Sequence, residues 1–452
     1  MRSDERLGNE KMLPLVFKMA LPSVAAQLVN LLYGIVDKIY IGHIEGVGAE
    51  ALAGVGITTS VILLVAAFSS LVGGGGSPLA AIELGKGNVD GAKKILNNGF
   101  VMLMFFALIC TTVPYFVMTP VLRFAGASSE TLPYAKEYLS VYLIGTVFVM
   151  ISTGLNMFIN CQGRPGVAMM SVIIGAVLNT ILDPLFIFTF GLGVKGAAIA
   201  TVISQAASAT WVLSFLFSKK ALMRLDFKEM RPDFAVVGKI SALGISPFVM
   251  ASTESLVGFA LNGQLQKYGN DIHVSALTVM QSAMQMVSIP LAGFSQGIIP
   301  VLSYNYGHGK NDRVKECFKI TLAVMFGVNL VGMVFMILCP SLIGSMFTDE
   351  ASVIETVAQY MPIFLLGMTI FGLQRTCQNT FVALGQAKIS LFIALLRKVI
   401  LFVPLTYLLP VFMGVVGVYA AEAIADAAAA TLCALIFIIT FPKILAKAPK
   451  PE

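Results

Sequence analysis

Residues 77–94, SPLAAIELGKGNVDGAKK, recur in altered form 222 positions later as IPVLSYNYGHGKNDRVKE, residues 299–316. The identical pairs in this match are Pro78 and Pro300, Gly85 and Gly307, Gly87 and Gly309, Asp90 and Asp312, and Lys93 and Lys315. The same offset pairs Tyr138 with Tyr360, Gly145 with Gly367 and Gly163 with Gly385. Near the end of each half, GVKGAA (193–198) aligns with GVVGVY (414–419) after a shift of one position. The chain therefore contains an internal duplication.

The composition places this duplication in a membrane. Of the 452 residues, 57% are hydrophobic and only 12% are charged, and the mean hydropathy is +0.86. Ordinary soluble domains carry about 25% charged residues. A soluble core cannot hold this much apolar side chain, so the surplus must face lipid. The polar amino terminus, MRSDERLGNEKM, leads into a full-length span and is not typical of a cleaved signal peptide.

Twelve apolar stretches are long enough to cross a bilayer of about 30 Å, which takes roughly 20 residues each. They lie at about residues 14–42, 51–82, 95–122, 137–160, 167–190, 195–218, 236–266, 275–303, 319–346, 356–382, 389–412 and 415–440. We therefore predict an all-α polytopic membrane protein with twelve transmembrane helices in two pseudo-symmetric six-helix lobes around a central cavity. The predicted divisions are an N-terminal lobe (1–218), a cytoplasmic linker (219–239) and a C-terminal lobe (240–452).

The basic residues are unevenly distributed between the two sides of the membrane. With twelve spans both termini lie on one side, and the loops of that side carry most of the lysines and arginines, among them Lys86, Arg164 and Arg231. Loops on the other side hold few, and stretches such as HIEGVGAE and FTDEASVIE are acidic. The positive-inside rule therefore places both termini in the cytoplasm of a multi-pass protein of the cell (inner) membrane. The net charge of +6 sets topology and does not indicate nucleic-acid binding.

Each repeat has an even number of spans, so both lobes keep the same orientation in the membrane. Parallel repeats around a cavity are typical of transporters that alternate access. A channel would more naturally place its symmetry around a pore, and an enzyme has no need of the duplication. The three histidines fall in loops, and the chain has no HExxH or Walker A motif. We therefore predict a transporter and not an enzyme.

The two halves differ at two acidic residues. In LNTILDPLFIF (178–188), Asp183 lies in an otherwise apolar run and faces Leu405 of the second half. Asp37, near the outer end of the first span, faces Gln264. Both acids belong to spans that run outward, and both are in the outer part, so they are at similar depth. Intramembrane acids are rare and usually mark ion or proton pathways.

Neighbouring groups complete a candidate cation site. Asn179 precedes Asp183 by four residues and so shares its helical face, and Thr201 lies near the start of the next span. Pro184 frees a carbonyl one turn back, which predicts a bend and a spare oxygen. These oxygens suit Na⁺, whereas repulsion between two close carboxylates favours uptake of a proton. The competing interpretation is that Asp183 caps a broken helix and Asp37 lies among lipid headgroups.

These residues give the chain a resemblance to the multidrug and toxic-compound extrusion (MATE) family over essentially all twelve spans. The motifs that carry it are VDKIYIG (36–42), EALAGVGI (50–57), LGKGN (84–88), LNTILDPLFIF (178–188) and GVKGAAIATVISQ (193–205). The resemblance implies a secondary antiporter that expels cationic, lipophilic drugs by alternating access in exchange for H⁺ or Na⁺. We expect no cofactor and no metal beyond that ion, small-molecule drugs and membrane lipids as partners, and a monomeric chain.

Within that family the chain is similar to the MepA-like and DinF-like prokaryotic branch, whose cation site is in the amino-terminal lobe. The residues that this pattern assigns to the cation or proton are Asp37, Asn179, Asp183, Thr201 and, through its backbone carbonyl, Ala197. Where the other branch has an acidic residue in the tenth span, this chain has Leu373 or Gln374. That departure argues against a cation site of the same kind in the carboxy-terminal lobe.

A second set of residues is expected to line the substrate cavity. Amide and thioether side chains adapt to varied ligands and suit promiscuous binding. The set consists of Asn30, Tyr33, Tyr138, Asn156, Asn160, Gln281, Met284, Gln285 and Met286. For any single member, packing between helices or against lipid is the competing interpretation.

The carboxy-terminal half has intramembrane charges of its own. They are Glu254, Arg375, Arg397, Lys398, Glu422 and Asp426. Mutual ion pairing is available to them and is the first interpretation. The competing interpretation is a second charge site at Glu254 and Arg375, with Glu254 as a further protonation site.

Two other functions are open alternatives. A lipid-linked oligosaccharide flippase of the related superfamily would line its cavity with basic residues for a pyrophosphate, whereas the cavity candidates of this chain are acidic or amide. A non-transporting membrane scaffold, from a different functional class, would need no intramembrane acids.

Overall fold

The computed structural model describes residues 3–449, apart from the side chains of residues 3–5, 254–256 and 259. Within this part of the chain the regular structure is helical throughout, without a β-strand. A helix satisfies its backbone polar groups internally, which is a requirement in lipid. Ten described helices are long and apolar enough to cross a membrane, and there are twelve spans when each of two bent pairs counts as one. The prediction of an all-α polytopic membrane protein is confirmed.

The first half of the chain forms helices α1 to α9. Their bounds are α1 (Ser3–Asn9), α2 (Met12–Gly42), α3 (Gly48–Gly85), α4 (Val89–Phe116), α5 (Met118–Phe124), α6 (Leu132–Ile144), α7 (Thr146–Cys161), α8 (Pro165–Pro184) and α9 (Gly193–Phe217). The predicted fourth span is not straight, because α6 and α7 meet at a bend of 58°. A π-helical turn, Leu185–Thr189, continues α8.

The second half forms helices α10 to α18. Their bounds are α10 (Phe234–Tyr268), α11 (Asp271–Gly307), α12 (Asn311–Leu338), α13 (Pro340–Phe347), α14 (Ala351–Leu365), α15 (Phe371–Ala383), α16 (Ala387–Leu395), α17 (Val403–Met413) and α18 (Val415–Leu445). A short 3₁₀ helix, Gly367–Ile370, leads into α15, and the span that it completes with α14 bends by 45°. A π-helical segment, Leu396–Phe402, joins α16 to α17.

The duplication recurs in the helices themselves. Helices α4 and α12 both contain 28 residues, and their bounds differ by the same offset that relates the sequence repeats. Gly87 and Gly309 have φ angles of 77° and 73°, and Gly163 and Gly385 have 74° and 71°. Such positive φ values suit glycine because it has no Cβ. Equivalent loops in the two halves therefore turn in the same way.

Glycines allow the two halves to approach backbone to backbone. A Cβ on Gly293 of α11 would lie 2.7 Å from the Cα of Val24 on α2. Gly75 on α3 and Gly244 on α10 also face each other, and a Cβ on Gly244 would overlap the carbonyl oxygen of Leu71. Small residues permit this contact between membrane helices, where close packing drives association.

Hydrogen bonds between the halves lie at one end of the bundle and at its middle. We call the end that carries the α3–α4 and α11–α12 loops the basic end. There His308 Nδ1 lies 3.0 Å from the carbonyl oxygen of Gly85, and Lys310 donates to a backbone carbonyl of α1. At the middle, Gln27 donates to Gln296 across 3.1 Å. Among the described residues no hydrogen bond joins the halves nearer the opposite end.

The segment between α9 and α10 is held against α4 at the basic end. The backbone N–H of Asp233 donates to Asn98 Oδ1 across 2.7 Å, and Lys94 Nζ lies 2.5 Å from a carboxylate oxygen of Asp233. The hydrogen bond from Lys94 holds the pKa of this carboxyl below its usual range. Helix α10 begins at Phe234, inside the range 219–239 assigned to the linker, and those linker bounds stay a prediction.

We predict that Gly244→Ala lowers the free energy of unfolding by about 1–3 kcal/mol, because the new methyl group overpacks the contact between α3 and α10. The measurement is thermal unfolding of the purified protein in detergent. Gly238→Ala on the same helix is the matched control, since a Cβ there meets nothing within 4 Å. Equal melting temperatures for the two variants would contradict the prediction.

Candidate cation site and cavities

Asp183 lies at the end of α8 and is fully buried. Pro184 follows it and has no amide donor, so the α-helical pattern cannot pass through unchanged. The chain continues as the π-helical turn Leu185–Thr189, a local widening that is often found at functional sites. One turn earlier, Asn179 Nδ2 donates to Asp183 Oδ1 across 3.0 Å, as their four-residue spacing indicates.

Two other helices bring their polar groups to this point. Thr201 on α9 is nearly buried, and its hydroxyl lies 3.4 Å from Asn179 Nδ2. Asp37 on α2 is 9% exposed, and its carboxyl group is in direct contact with that of Asp183. Ala197 is buried on α9, one helical turn before Thr201. The structure therefore brings together side chains that are far apart in sequence.

We call Asp37, Asn179, Asp183 and Thr201 the carboxylate site. One oxygen of each carboxylate and the amide oxygen of Asn179 have no hydrogen-bond partner among the described residues. A buried polar atom without a partner costs roughly 1–3 kcal/mol, so three in one cluster indicate a ligand. Oxygen atoms of this kind prefer hard cations. No group of three or more His, Cys, Asp or Glu side chains that could hold a metal occurs in the described chain.

Two predicted substrate residues surround the carboxylate site. The hydroxyl of Tyr138 contacts Thr201, and that of Tyr33 contacts Gln205. Gln205 was missing from the sequence-based set. It lies four residues after Thr201 on α9 and hence on the same face, which is the signal that could have found it. Gln205 Oε1 also accepts a hydrogen bond from Ser152 across 3.0 Å.

A small polar cavity of about 50 Å³ continues from the carboxylate site into the interior of the first half. Asn30 and Asn156, two further predicted substrate residues, line it. Gly175 and Ala176 on α8 form part of its wall, with Thr201 of α9 also in the lining. Polar side chains in a membrane protein interior are usually functional or hydrogen-bonded across helices.

Helices α8 and α9 are joined along this cavity. Ser208 Oγ donates to the carbonyl of Ser171 across 2.8 Å. One turn further along, Trp211 Nε1 donates to the carbonyl of Val167 across 3.0 Å. Gly175 permits the close approach, because a Cβ there would collide with Ser208 Oγ. The two helices that carry Asn179, Asp183 and Thr201 are therefore fixed to each other.

Two larger cavities are lined by residues of both halves, one of them mainly by the second half. One of about 310 Å³ is lined by Asn160 of the first half and by Gln296 and Arg375 of the second. Another, of about 420 Å³, is lined from the predicted substrate set by Gln281, Met284 and Gln285. Met286, also predicted, is outside the described lining of both cavities and is 50% exposed. Arg375 lines both cavities and donates to the carbonyl of Ser288 across 3.1 Å.

The intramembrane charges of the second half form ion pairs. Arg397 Nε donates to Asp426 Oδ1 across 2.6 Å. Lys398 Nζ lies 3.6 Å from Glu422 Oε1, and Arg397 also approaches Glu422 at 3.9 Å. The ion pairing expected from the sequence is therefore present for these four residues. The side chain of Glu254 lies outside the described residues, so its predicted partnership with Arg375 stays a prediction.

The fold and its buried charges define a polytopic membrane transporter, not an enzyme. Residues 22–185 and 248–408 match the MatE family model. The chain belongs to the MatE family, as the motifs in its sequence indicated.

Relatives of known name agree over nearly the full length. The multidrug export protein MepA of Staphylococcus aureus (strain MRSA252) is 25% identical over 439 residues, which cover 96% of this chain and 94% of that protein. MepA of Staphylococcus haemolyticus (strain JCSC1435) is 23% identical over 417 residues, covering 92% and 90%.

Solved structures share the fold. The crystal structure of MATE in complex with MaD3S aligns with a TM-score of 0.90 at 20% identity and covers 99% of this chain and 100% of that one. An outward-facing multidrug resistance MATE family transporter of the MOP superfamily aligns with a TM-score of 0.88 at 21% identity, covering 95% and 96%. A MOP superfamily transporter from Pyrococcus furiosus Vc1 gives 0.91 at 21% identity, covering 98% and 99%.

We predict that Asp183→Asn raises the free energy of unfolding by about 1 kcal/mol at alkaline pH and in the absence of Na⁺, where both carboxylates are ionised, since it removes one of two repelling buried carboxylates. Thermal unfolding in detergent with choline as the only added cation is the measurement. Asp90→Asn is the matched control, because the side chain of Asp90 is 93% exposed. A lower melting temperature for Asp183→Asn than for the control would contradict the prediction.

Proposed function

We propose that this chain is a secondary active multidrug efflux antiporter of the cell membrane, with both termini cytoplasmic. It exchanges cationic, lipophilic drugs for H⁺ or Na⁺ by alternating access. The single observation that carries the proposal is the buried contact between Asp37 and Asp183, with unpaired oxygens on both carboxylates. Such a contact costs free energy unless a positive charge shares it. A fold alone would not require it.

Helix α2 connects the ion to the drug. Its outer part carries Asp37, and Gln27 in its middle bonds to Gln296 of the second half. When both carboxylates are ionised, Asp37 and Asp183 repel each other at short range in a medium of low dielectric. A bound cation or proton removes that repulsion and lets α2 move toward α8. Movement of α2 reshapes the cavity beside Gln27, so ion binding and drug binding compete.

The carboxylates of Asp37 and Asp183 favour binding of cationic drugs in the first half. A cavity of about 280 Å³ there is lined by Gln27, Asn30, Asn156 and Asn160. In the cavity between the halves the charged residue of the described lining is Arg375, and no carboxylate belongs to that described lining. Amides with a nearby carboxylate pair suit a lipophilic cation of variable shape. The relatives' designation as multidrug export proteins supports this substrate class.

The position of the hydrogen bonds between the halves supports an export-competent state. They lie at the basic end and the middle, whereas the carboxylate site is nearer the opposite end. By the positive-inside rule the basic end faces the cytoplasm. A chain joined at the basic end is closed to the cytoplasm, and its carboxylates are on the side from which the coupling ion enters.

Three further features belong to this proposal. The division into lobes 1–218 and 240–452, with the linker 219–239, is supported by the two separate matches to the family model. Each lobe contains one copy of the duplicated helices, so one chain encloses the cavity and acts as a monomer. Membrane lipids surround it.

The alternatives receive less support. A flippase for a pyrophosphate-linked lipid needs several basic groups that face one cavity and can bind the phosphates. In this chain Arg397 and Lys398 are paired with acidic residues, which neutralise their charge. A scaffold without transport activity leaves the buried contact of two carboxylates without a purpose.

We predict that Asp183→Asn and Asp37→Asn each lower drug efflux at least about 10-fold in a drug-hypersensitive host, because an amide cannot provide the charge that binds the ion. The measurement is the initial rate of dye efflux at matched membrane expression. Asp312→Asn, whose side chain is fully exposed, serves as the control and keeps its activity. Unchanged efflux by Asp183→Asn would refute the proposed role of this carboxylate.

Reconstitution tests the antiport itself. In proteoliposomes loaded with a lipophilic cationic dye, we expect an H⁺ or a Na⁺ gradient, imposed separately and opposed to the dye, to drive its transport. An ionophore that collapses the effective gradient stops it, and Asp183→Asn abolishes it. The gradient that works identifies the coupling ion. Failure of both gradients with active, sealed vesicles would contradict antiport.

A further inference from the structure

The residues that line the small polar cavity on α8 have equivalents in the second half, because the two halves are repeats. The offset that relates α8 to α16 and its π-helical continuation places Arg397 at the position equivalent to Gly175. It likewise places Lys398 at the position equivalent to Ala176. The first half thus has two residues without a long side chain where the second half has two long cations. Gly175 and Ala176 line a cavity in the first half, and Arg397 and Lys398 line a cavity in the second.

The facing helices differ in a complementary way. Helices α9 and α18 align after the shift of one position, so Thr201 corresponds to Glu422 and Gln205 corresponds to Asp426. In the first half, Thr201 and Gln205 are neutral and border the cavity next to the carboxylate site. In the second half, the same two positions carry carboxylates, and both are buried. The interface between α8 and α9 is therefore neutral at these positions, whereas the equivalent interface of the second half has cations on one helix and carboxylates on the other.

The contacts show that these charges neutralise each other. Arg397 bonds to Asp426 across 2.6 Å, and Lys398 lies 3.6 Å from Glu422. The side chains of Lys398 and Glu422 are only 8% and 4% exposed. The ring of Phe371 lies 4.1 Å from the Arg397 guanidinium and covers it further. A buried carboxylate must be paired with a positive charge, and in the second half that charge belongs to the chain.

We propose that Lys398, supported by Arg397, is a tethered cation that permanently occupies the position beside Glu422, the second-half equivalent of the cation-site residue Thr201. This inference rests on the proposed ion binding in the first half. A lysine ammonium is a compact monovalent cation that cannot dissociate from its helix. The second half therefore exchanges no ion at this position, and its helices α16 to α18 keep one arrangement. Only the first half responds to the ion gradient.

The proposal makes a chemical prediction about the site that remains when the tether is removed. Lys398→Met keeps much of the side-chain volume but removes the nearer of two cations that approach Glu422, the other being Arg397. A free Na⁺ can then take the place of the ammonium group. Lys398→Met therefore acquires a stabilisation by Na⁺ that the parent lacks, because a ligand that binds only the folded state raises its stability.

The test uses the full-length chain with Asp183→Asn as the parent, so that Na⁺ binding at the carboxylate site does not contribute. Melting temperatures are measured in detergent at one pH, in NaCl and in choline chloride of equal ionic strength. We expect an upward shift of several degrees with NaCl for Lys398→Met and none for the parent. Lys398→Arg, which keeps the charge, and Lys388→Met, at an exposed lysine of α16, show no shift.

A second substitution shows whether an effect of Lys398→Met comes from the lost positive charge or from misfolding. Adding Glu422→Gln to Lys398→Met removes the carboxylate that has lost the Lys398 ammonium group, and we expect it to abolish the dependence on Na⁺. If Lys398→Met alone does not yield folded protein, recovery of folded protein by Glu422→Gln supports the proposal. A melting temperature of Lys398→Met that is the same in NaCl and choline chloride overturns it, as does a failure of Glu422→Gln to restore folding. Efflux is not the readout, so failure of the antiport proposal would be seen separately.

Discussion

The contact between the carboxyl groups of Asp37 and Asp183 is the constraint on which the rest of the molecule depends. Two like charges at this distance, away from water, are unstable together, so a proton or cation shared between them stabilises the folded protein. The interaction joins α2 to α8, and α9 with Thr201 completes its surroundings. Close packing fixes α8 to α9, whereas α2 is held to the second half by Gln27. The carboxylates thus lie where α2, which is bonded to the second half, meets the joined helices α8 and α9.

The two halves arose by duplication, and their buried side chains have since diverged. Identical geometry at the glycine loops keeps the halves equivalent as scaffolds. Substitutions at a few buried positions then separate them: short or neutral side chains around Gly175 in one half, and paired charges around Arg397 in the other. Two halves with the same backbone arrangement can therefore differ in charge through a few local substitutions. Conserving this arrangement also explains why α4 and α12 match in length when most of their residues differ.

Much of this architecture followed from the sequence because lipid imposes simple rules. Apolar length determined the spans, and the spacing of Asn179 and Asp183 placed both on one helical face. The spacing of Tyr33 and Asp37 on α2 likewise placed that tyrosine next to a carboxylate. Local patterns could not place Tyr138 beside Thr201 rather than in a drug cavity, since that depends on how α6 packs against α9. Nor could they reveal the bends in the fourth and tenth spans. Each bend lies next to a glycine, but other glycines of this chain lie inside straight helices, so glycine alone does not predict a bend. Gln205 was overlooked for a similar reason, although its spacing from Thr201 was available.

The hydrogen bond from Trp211 to Val167 has a practical consequence. Trp211 is the one tryptophan in the chain, and its indole bridges α9 and α8 about one turn beyond the polar cavity. Indole emission depends on the polarity around the ring and on its hydrogen bonding. The protein therefore has an intrinsic fluorophore attached to the two helices that carry Asn179, Asp183 and Thr201. Its emission spectrum gives a label-free optical record of whether those helices respond to the ion that we propose they bind.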